Sequence, residues 1–141
     1  MERLRPLAVT AFCAVTLFTW GNRIWLAWTD PDDTLAAKLV WTLPVTLFVA
    51  AAVVLLAVMV RGIDRTSTGF VRGVRVFAGA TVAYWTFRLI DIVIDPQWSV
   101  GFKVVHAVLA VVSSIAAVAA WRSVHPVAGR PVPSDRVSAA A

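Results

Sequence analysis

Four apolar stretches, residues 7–28, 39–60, 74–94 and 104–121, leave this chain few ways to fold. Each comes close to or exceeds the roughly 20 residues that cross a hydrocarbon core. Inside lipid, a single segment can satisfy its own backbone N–H and C=O groups only as a helix. Apolar residues make up 60% of the 141, and mean hydropathy is +0.79. A soluble domain of this size could not cover so much apolar surface. The expected fold class is all-α integral membrane, with four transmembrane helices and little chain left for a soluble domain.

A second pattern divides the four spans into two pairs. Shifted by 65 positions without a gap, residues 12–53 fall on 77–118. Phe12, Thr16, Trp20, Arg23, Asp30, Pro31 and Lys38 land on Phe77, Thr81, Trp85, Arg88, Asp95, Pro96 and Lys103. Matching Ala and Val is cheap in so apolar a chain. Matching a Trp, an Arg, an Asp-Pro pair and a Lys at one offset is not. The spans are therefore expected to form two tandem parallel-repeat helical hairpins. The first covers residues 7–60 and the second 76–121, with a basic linker at 61–75 between them. Residues 1–6 form a short N-terminus, and residues 122–141, rich in Pro, Ser and Ala, an expected disordered tail. Because both hairpins enter the membrane from one side, the repeat differs from the inverted repeats of many transporters.

Charge sets the expected orientation. The net charge of +5 could suggest nucleic acid, but its distribution argues otherwise. Arg3 and Arg5 precede the first span; Arg61, Arg65, Arg72 and Arg75 lie between the second and third; Arg122, Arg130 and Arg136 follow the fourth. The other two connections hold Asp30, Asp32, Asp33 and Asp95. By the positive-inside rule, both termini and the middle connection face the cytoplasm. Nucleic acid is not an expected partner, because these arginines lack interleaved aromatics. The N-terminus imitates a secretory signal, yet the apolar run continues to Trp28 without a small-residue cleavage site, so a retained first span is expected. Eleven Arg against two Lys in an Ala/Val-rich background point to a bacterial plasma membrane.

Asp30-Pro31 and Asp95-Pro96 have the residue types of a helix N-cap followed by a first-turn proline, so the second helix of each hairpin is expected to begin there. Pro44 should bend or loosen the second span. With helices starting at the Asp-Pro pairs, Arg23 comes level with Lys38 and Trp20 with Trp41. In the second hairpin, Arg88 comes level with Lys103 and Trp85 with His106. Trp20, Arg23, Lys38, Trp41, Trp85, Arg88, Asp91, Lys103 and His106 then form a candidate outer vestibule, a cationic layer above an aromatic one. Cations facing inward suit a phosphate or carboxylate, whereas cations snorkelling outward serve only as anchors. Asp91 replaces the Leu26 of the first hairpin and lies about 6 Å inside the turn. It is a candidate proton carrier with His106, or a salt-bridge partner of Arg88.

Sharper chemistries are excluded. His106 and His125 lie on one helix or its tail, about 28 Å apart, which rules out a bis-His haem. Cys13 is the sole cysteine, and no zinc spacing or phosphate loop occurs. No cofactor is expected. Ser113 and Ser114, with Ala116, Ala117, Ala119 and Ala120, read as a small-residue packing face, internal or toward a partner. The leading expectation is a non-enzymatic accessory or assembly subunit, partnered by the lipid bilayer and by another membrane protein or a second copy. The alternatives are a small transporter or channel for an anionic solute or lipid headgroup, and an enzyme acting on a lipid-linked substrate at the outer face.

Overall fold

A computed structural model describes residues 4–32, 34–62 and 66–125, without the side chains of residues 4–6 and 41. The described residues form four helices and no strand: α1 (Leu4–Thr29), α2 (Leu35–Val60), α3 (Thr68–Ile94) and α4 (Val100–Ser123). All four are long and apolar enough to cross a membrane, which marks a multi-pass membrane protein. Asp33, Arg65, the N-terminal Arg3 and the tail beyond His125 lie outside the described residues, as does the side chain of Trp41.

Helix α1 packs on α2 and on α4, and α4 packs on α3; α2 and α3 touch only lightly. Going round the bundle, the order is α1, α2, α3, α4, so α1 and α3 face each other diagonally. Large aromatics bridge that diagonal. The Phe12 and Phe77 rings lie 4.7 Å apart, and the Trp20 and Trp85 rings stack at 5.1 Å. Both pairs are 65 residues apart in sequence, so α1 and α3 run parallel and level. Phe48 of α2 reaches both levels, touching Phe77 and Trp20. Below the tryptophans, Val9, Phe12, Cys13, Val74 and Ala78 fill the core.

Small side chains line the buried face of α4. Ala110, Ser113, Ala117 and Ala120 are its buried residues, spaced at helical intervals on one face. With lipid on all sides, burial against a neighbouring helix gains little hydrophobic free energy, so close van der Waals contact holds α4 to α1 and α3. Of the small residues expected to form a packing face, Ser113, Ala117 and Ala120 are buried, Ser114 and Ala116 half-buried, and Ala119 exposed. Buried hydroxyls are satisfied locally, with Thr16 donating to the Phe12 carbonyl and Thr81 to the Phe77 carbonyl, each at 2.9 Å.

The helix starts differ from expectation. Helix α2 begins at Leu35 with Thr34 as N-cap, and α4 at Val100 with Ser99 as N-cap. The Thr34 and Ser99 hydroxyls accept from the N–H groups of Ala37 and Phe102. The Asp-Pro pairs build turns before these caps. The Asp30 carboxylate accepts from the Asp32 N–H, and that of Asp95 from the Gln97 N–H, each at 3.0 Å. This is Asx-turn geometry, which uses the same residue types as a helix N-cap. Helix α3 likewise begins earlier than its span, at Thr68, so the second half of the basic stretch 61–75 is helical. Gly62 ends α2 at φ +69, a left-handed conformation that glycine adopts without Cβ strain, and its N–H bonds the Met59 carbonyl. Helix α2 continues through the exposed Pro44.

Candidate functional site

One cleft opens toward the end of the bundle that carries the two Asp-Pro turns. Its volume is about 70 Å³, and it is lined by Thr19, Trp20 and Arg23 of α1, Val45 of α2, Tyr84, Trp85 and Arg88 of α3, and His106 and Leu109 of α4. The stacked Trp20 and Trp85 form its floor, both almost fully buried. Tyr84 meets the Trp20 ring edge-on at 5.2 Å and braces Phe48 at 5.3 Å.

The two arginines differ in their partners. Arg88 is mostly covered and pairs with Asp91, one helical turn on. Arg23 is exposed and has no hydrogen-bond or ion-pair partner among the described residues. The equivalent of Asp91 in α1 is Leu26, so Arg23 has no acid at that spacing. Among the described residues, Asp91 is the acid paired with Arg88, and it stands outside the lining. Trp85 lines the cleft, and its indole N–H is buried with no acceptor among the described residues.

Lysines and histidine occupy other roles than the expected layers. The Lys38 ammonium bonds the carbonyls of Asp30 at 2.6 Å and Trp28 at 3.4 Å. The Lys103 ammonium bonds the Val93 carbonyl at 2.9 Å. Both lysines thus close the C-terminal ends of α1 and α3, where helix carbonyls lack intrahelical donors and the dipole favours a cation. The four-cation layer of Arg23, Lys38, Arg88 and Lys103 does not form. The later helix starts slide both lysines up to the turns and away from the arginines. His106 does line the cleft beside Trp85. Its Nδ1 donates to the Phe102 carbonyl at 2.9 Å, since a carbonyl can only accept, and its ring stacks on Phe102, which stacks on Trp98. Asp91 and His106 share no hydrogen bond among the described residues, so the expected relay dyad is not assembled.

Of the nine candidate residues, Trp20, Arg23, Trp85, Arg88 and His106 meet at one cleft; Lys38 and Lys103 sit at the turns, Asp91 pairs with Arg88, and the side chain of Trp41 lies outside the described residues. Tyr84 and Thr19 were missed. Tyr84 is the chain's single tyrosine and adjoins Trp85, a signal that was available. Thr19 carries none. Among the described residues, no group of three or more His, Cys, Asp or Glu could hold a metal ion. Comparison with protein-family models, with curated proteins and with solved structures finds no match for the chain.

Proposed function

We propose that this chain is a non-enzymatic membrane protein that binds an anionic group, phosphate or carboxylate, in the cleft between Arg23 and Arg88. The placement of these two guanidiniums in one lining with the stacked Trp20 and Trp85 carries the reading. Both guanidiniums attract an anion, and among the described residues no carboxylate lines the cleft. Its volume of about 70 Å³ is far below the roughly 300–1,000 Å³ of a cleft that engulfs a drug-sized ligand. It fits a headgroup or a small anion, with the rest of the ligand outside. The ring stacks beneath the cleft fill the bundle centre, which favours holding an anion over conducting one.

The same reading includes the architecture and its orientation. We take the two hairpins to be copies of one hairpin. Supporting this, the N-caps Thr34 and Ser99, the Asx turns at Asp30 and Asp95, the bonds of Lys38 to the Trp28 carbonyl and of Lys103 to the Val93 carbonyl, and the hydroxyls of Thr16 and Thr81 all recur at the 65-residue offset. The cleft would face outward from a bacterial plasma membrane, with the Arg-rich end cytoplasmic. An accessory role on a larger membrane complex, the leading expectation from the sequence, stands here as the second reading, favoured by how little of the described chain lies outside the four helices.

Calorimetric titration of the purified chain with inorganic phosphate, glycerol phosphate and acetate tests the cleft. At least one should bind, and Arg23→Gln or Arg88→Gln should each weaken it about tenfold or more, the value of one charge-assisted hydrogen bond. No binding by any of the three, or unchanged binding in both folded variants, contradicts the proposal.

A further inference from the structure

A second recess lies at the other end of the bundle, about 24 Å along α3 from the Arg88 level. It has two lobes that share Gly79 and Trp121. One lobe, about 450 Å³, holds Arg72 and Arg75 on the first turns of α3. The other, about 490 Å³, runs between α3 and α4, walled by Val82 and Val118, with Arg122 at its edge. Small residues make the trough. A Cβ at Gly79 would stand 3.4 Å from the Trp121 ring, so glycine allows the indole to settle onto α3 between the lobes.

The charge here is one-sided. Arg75 Nη2 donates to the Val124 carbonyl at 3.3 Å and its guanidinium carbon sits 5.8 Å from the Trp121 ring centroid. Its Nε is buried and has no acceptor among the described residues. Arg72 and Arg122 are exposed beside it. The described acids, Asp30, Asp32, Asp91 and Asp95, all belong to the other end of the bundle. Three guanidiniums therefore border an open apolar trough, with no described carboxylate to neutralise them. The positive end of α3 adds to the same field.

We infer that this trough binds one anionic glycerophospholipid, its phosphate held by Arg72, Arg75 and Arg122 and an acyl chain lying between Val82 and Val118. The two halves of the recess match the two halves of such a lipid. A guanidinium fork suits a phosphate, and the almost wholly apolar recess across Trp121 from Arg72 and Arg75 suits a hydrocarbon chain and gives a free phosphate nothing to contact. This site is separate from the Arg23–Arg88 cleft and stands or falls independently of it.

The test is native mass spectrometry of the delipidated full chain, titrated with phosphatidylglycerol, phosphatidylcholine and glycerol phosphate. One phosphatidylglycerol should bind at least about fivefold more tightly than phosphatidylcholine, and excess glycerol phosphate should leave it in place. Arg72→Gln should weaken it about fivefold and the Arg72→Gln/Arg75→Gln pair about 30-fold, at roughly one fivefold step per interfacial arginine. Gly79→Leu, which fills the trough, should weaken both lipids. Because Arg72 is exposed, its single variant stays informative where loss of the Arg75–Val124 bond disturbs folding. Equal affinity for the two lipids, displacement by glycerol phosphate, or retention by the folded Arg72→Gln variant overturns the assignment. So does a loss of lipid that follows Arg23→Gln/Arg88→Gln instead.

Discussion

At the scale of single residues, the same side-chain type serves structure or recognition according to what its partners leave over. Lys38 and Lys103 satisfy the last carbonyls of α1 and α3, groups for which lipid offers no donor. Lys38→Met and Lys103→Met should each lower the unfolding free energy in detergent by about 0.5–1.5 kcal/mol, the net worth of an ordinary hydrogen bond, without changing anion affinity. Trp85→Phe should also cost stability, about 1–3 kcal/mol, because the smaller ring leaves a void against the stacked Trp20. A Trp85→Phe protein that melts as the parent does would contradict that packing role.

At the scale of elements, hydropathy made the four spans legible and left their ends obscure. The apolar runs reappear as α1 to α4 because backbone satisfaction in lipid allows no other secondary structure to a lone segment. The Asp-Pro pairs were harder, since an acceptor side chain followed by proline closes an Asx turn as readily as it opens a helix. A few residues of turn then moved Lys38 and Lys103 out of the arginine layer. Thr34 and Ser99 carry the caps, and Thr34→Ala or Ser99→Ala should each cost about 1 kcal/mol of stability. The packing of α4 on α1 and α3 depends on small residues whose face was legible in sequence, though not which neighbours it meets. Ala117 is fully buried, and Ala117→Leu should force the helices apart at a cost of about 1–3 kcal/mol, read as a lower melting temperature.

At the scale of the whole molecule, the diagonal contacts of Phe12 with Phe77 and Trp20 with Trp85 place the two Asp-Pro turns at one end and the arginine-rich ends at the other. The convergence of Trp20, Arg23, Trp85 and Arg88 could be read from their shared offset, because equivalent positions on parallel diagonal helices come level. The contributions of Thr19 and Tyr84 could not, since they depend on how far each helix is rotated about its axis. Orientation has its own check. Cysteines introduced at Asp32 and Gln97 should react with a membrane-impermeant thiol reagent from outside intact cells, and one at Thr66 should not; the native Cys13 is buried and stays silent. Labelling of Thr66→Cys from outside would invert the topology.

The central claim, that the cleft above Trp20 and Trp85 draws in anions, is tested most directly by quenching those two indoles. In vesicles containing protein with Trp25, Trp28, Trp41, Trp98 and Trp121 replaced by phenylalanine, external iodide should quench more strongly than neutral acrylamide. Arg23→Gln/Arg88→Gln should abolish the difference. Equal quenching by the two agents in the parent protein, or an iodide preference that survives loss of both arginines, would contradict it.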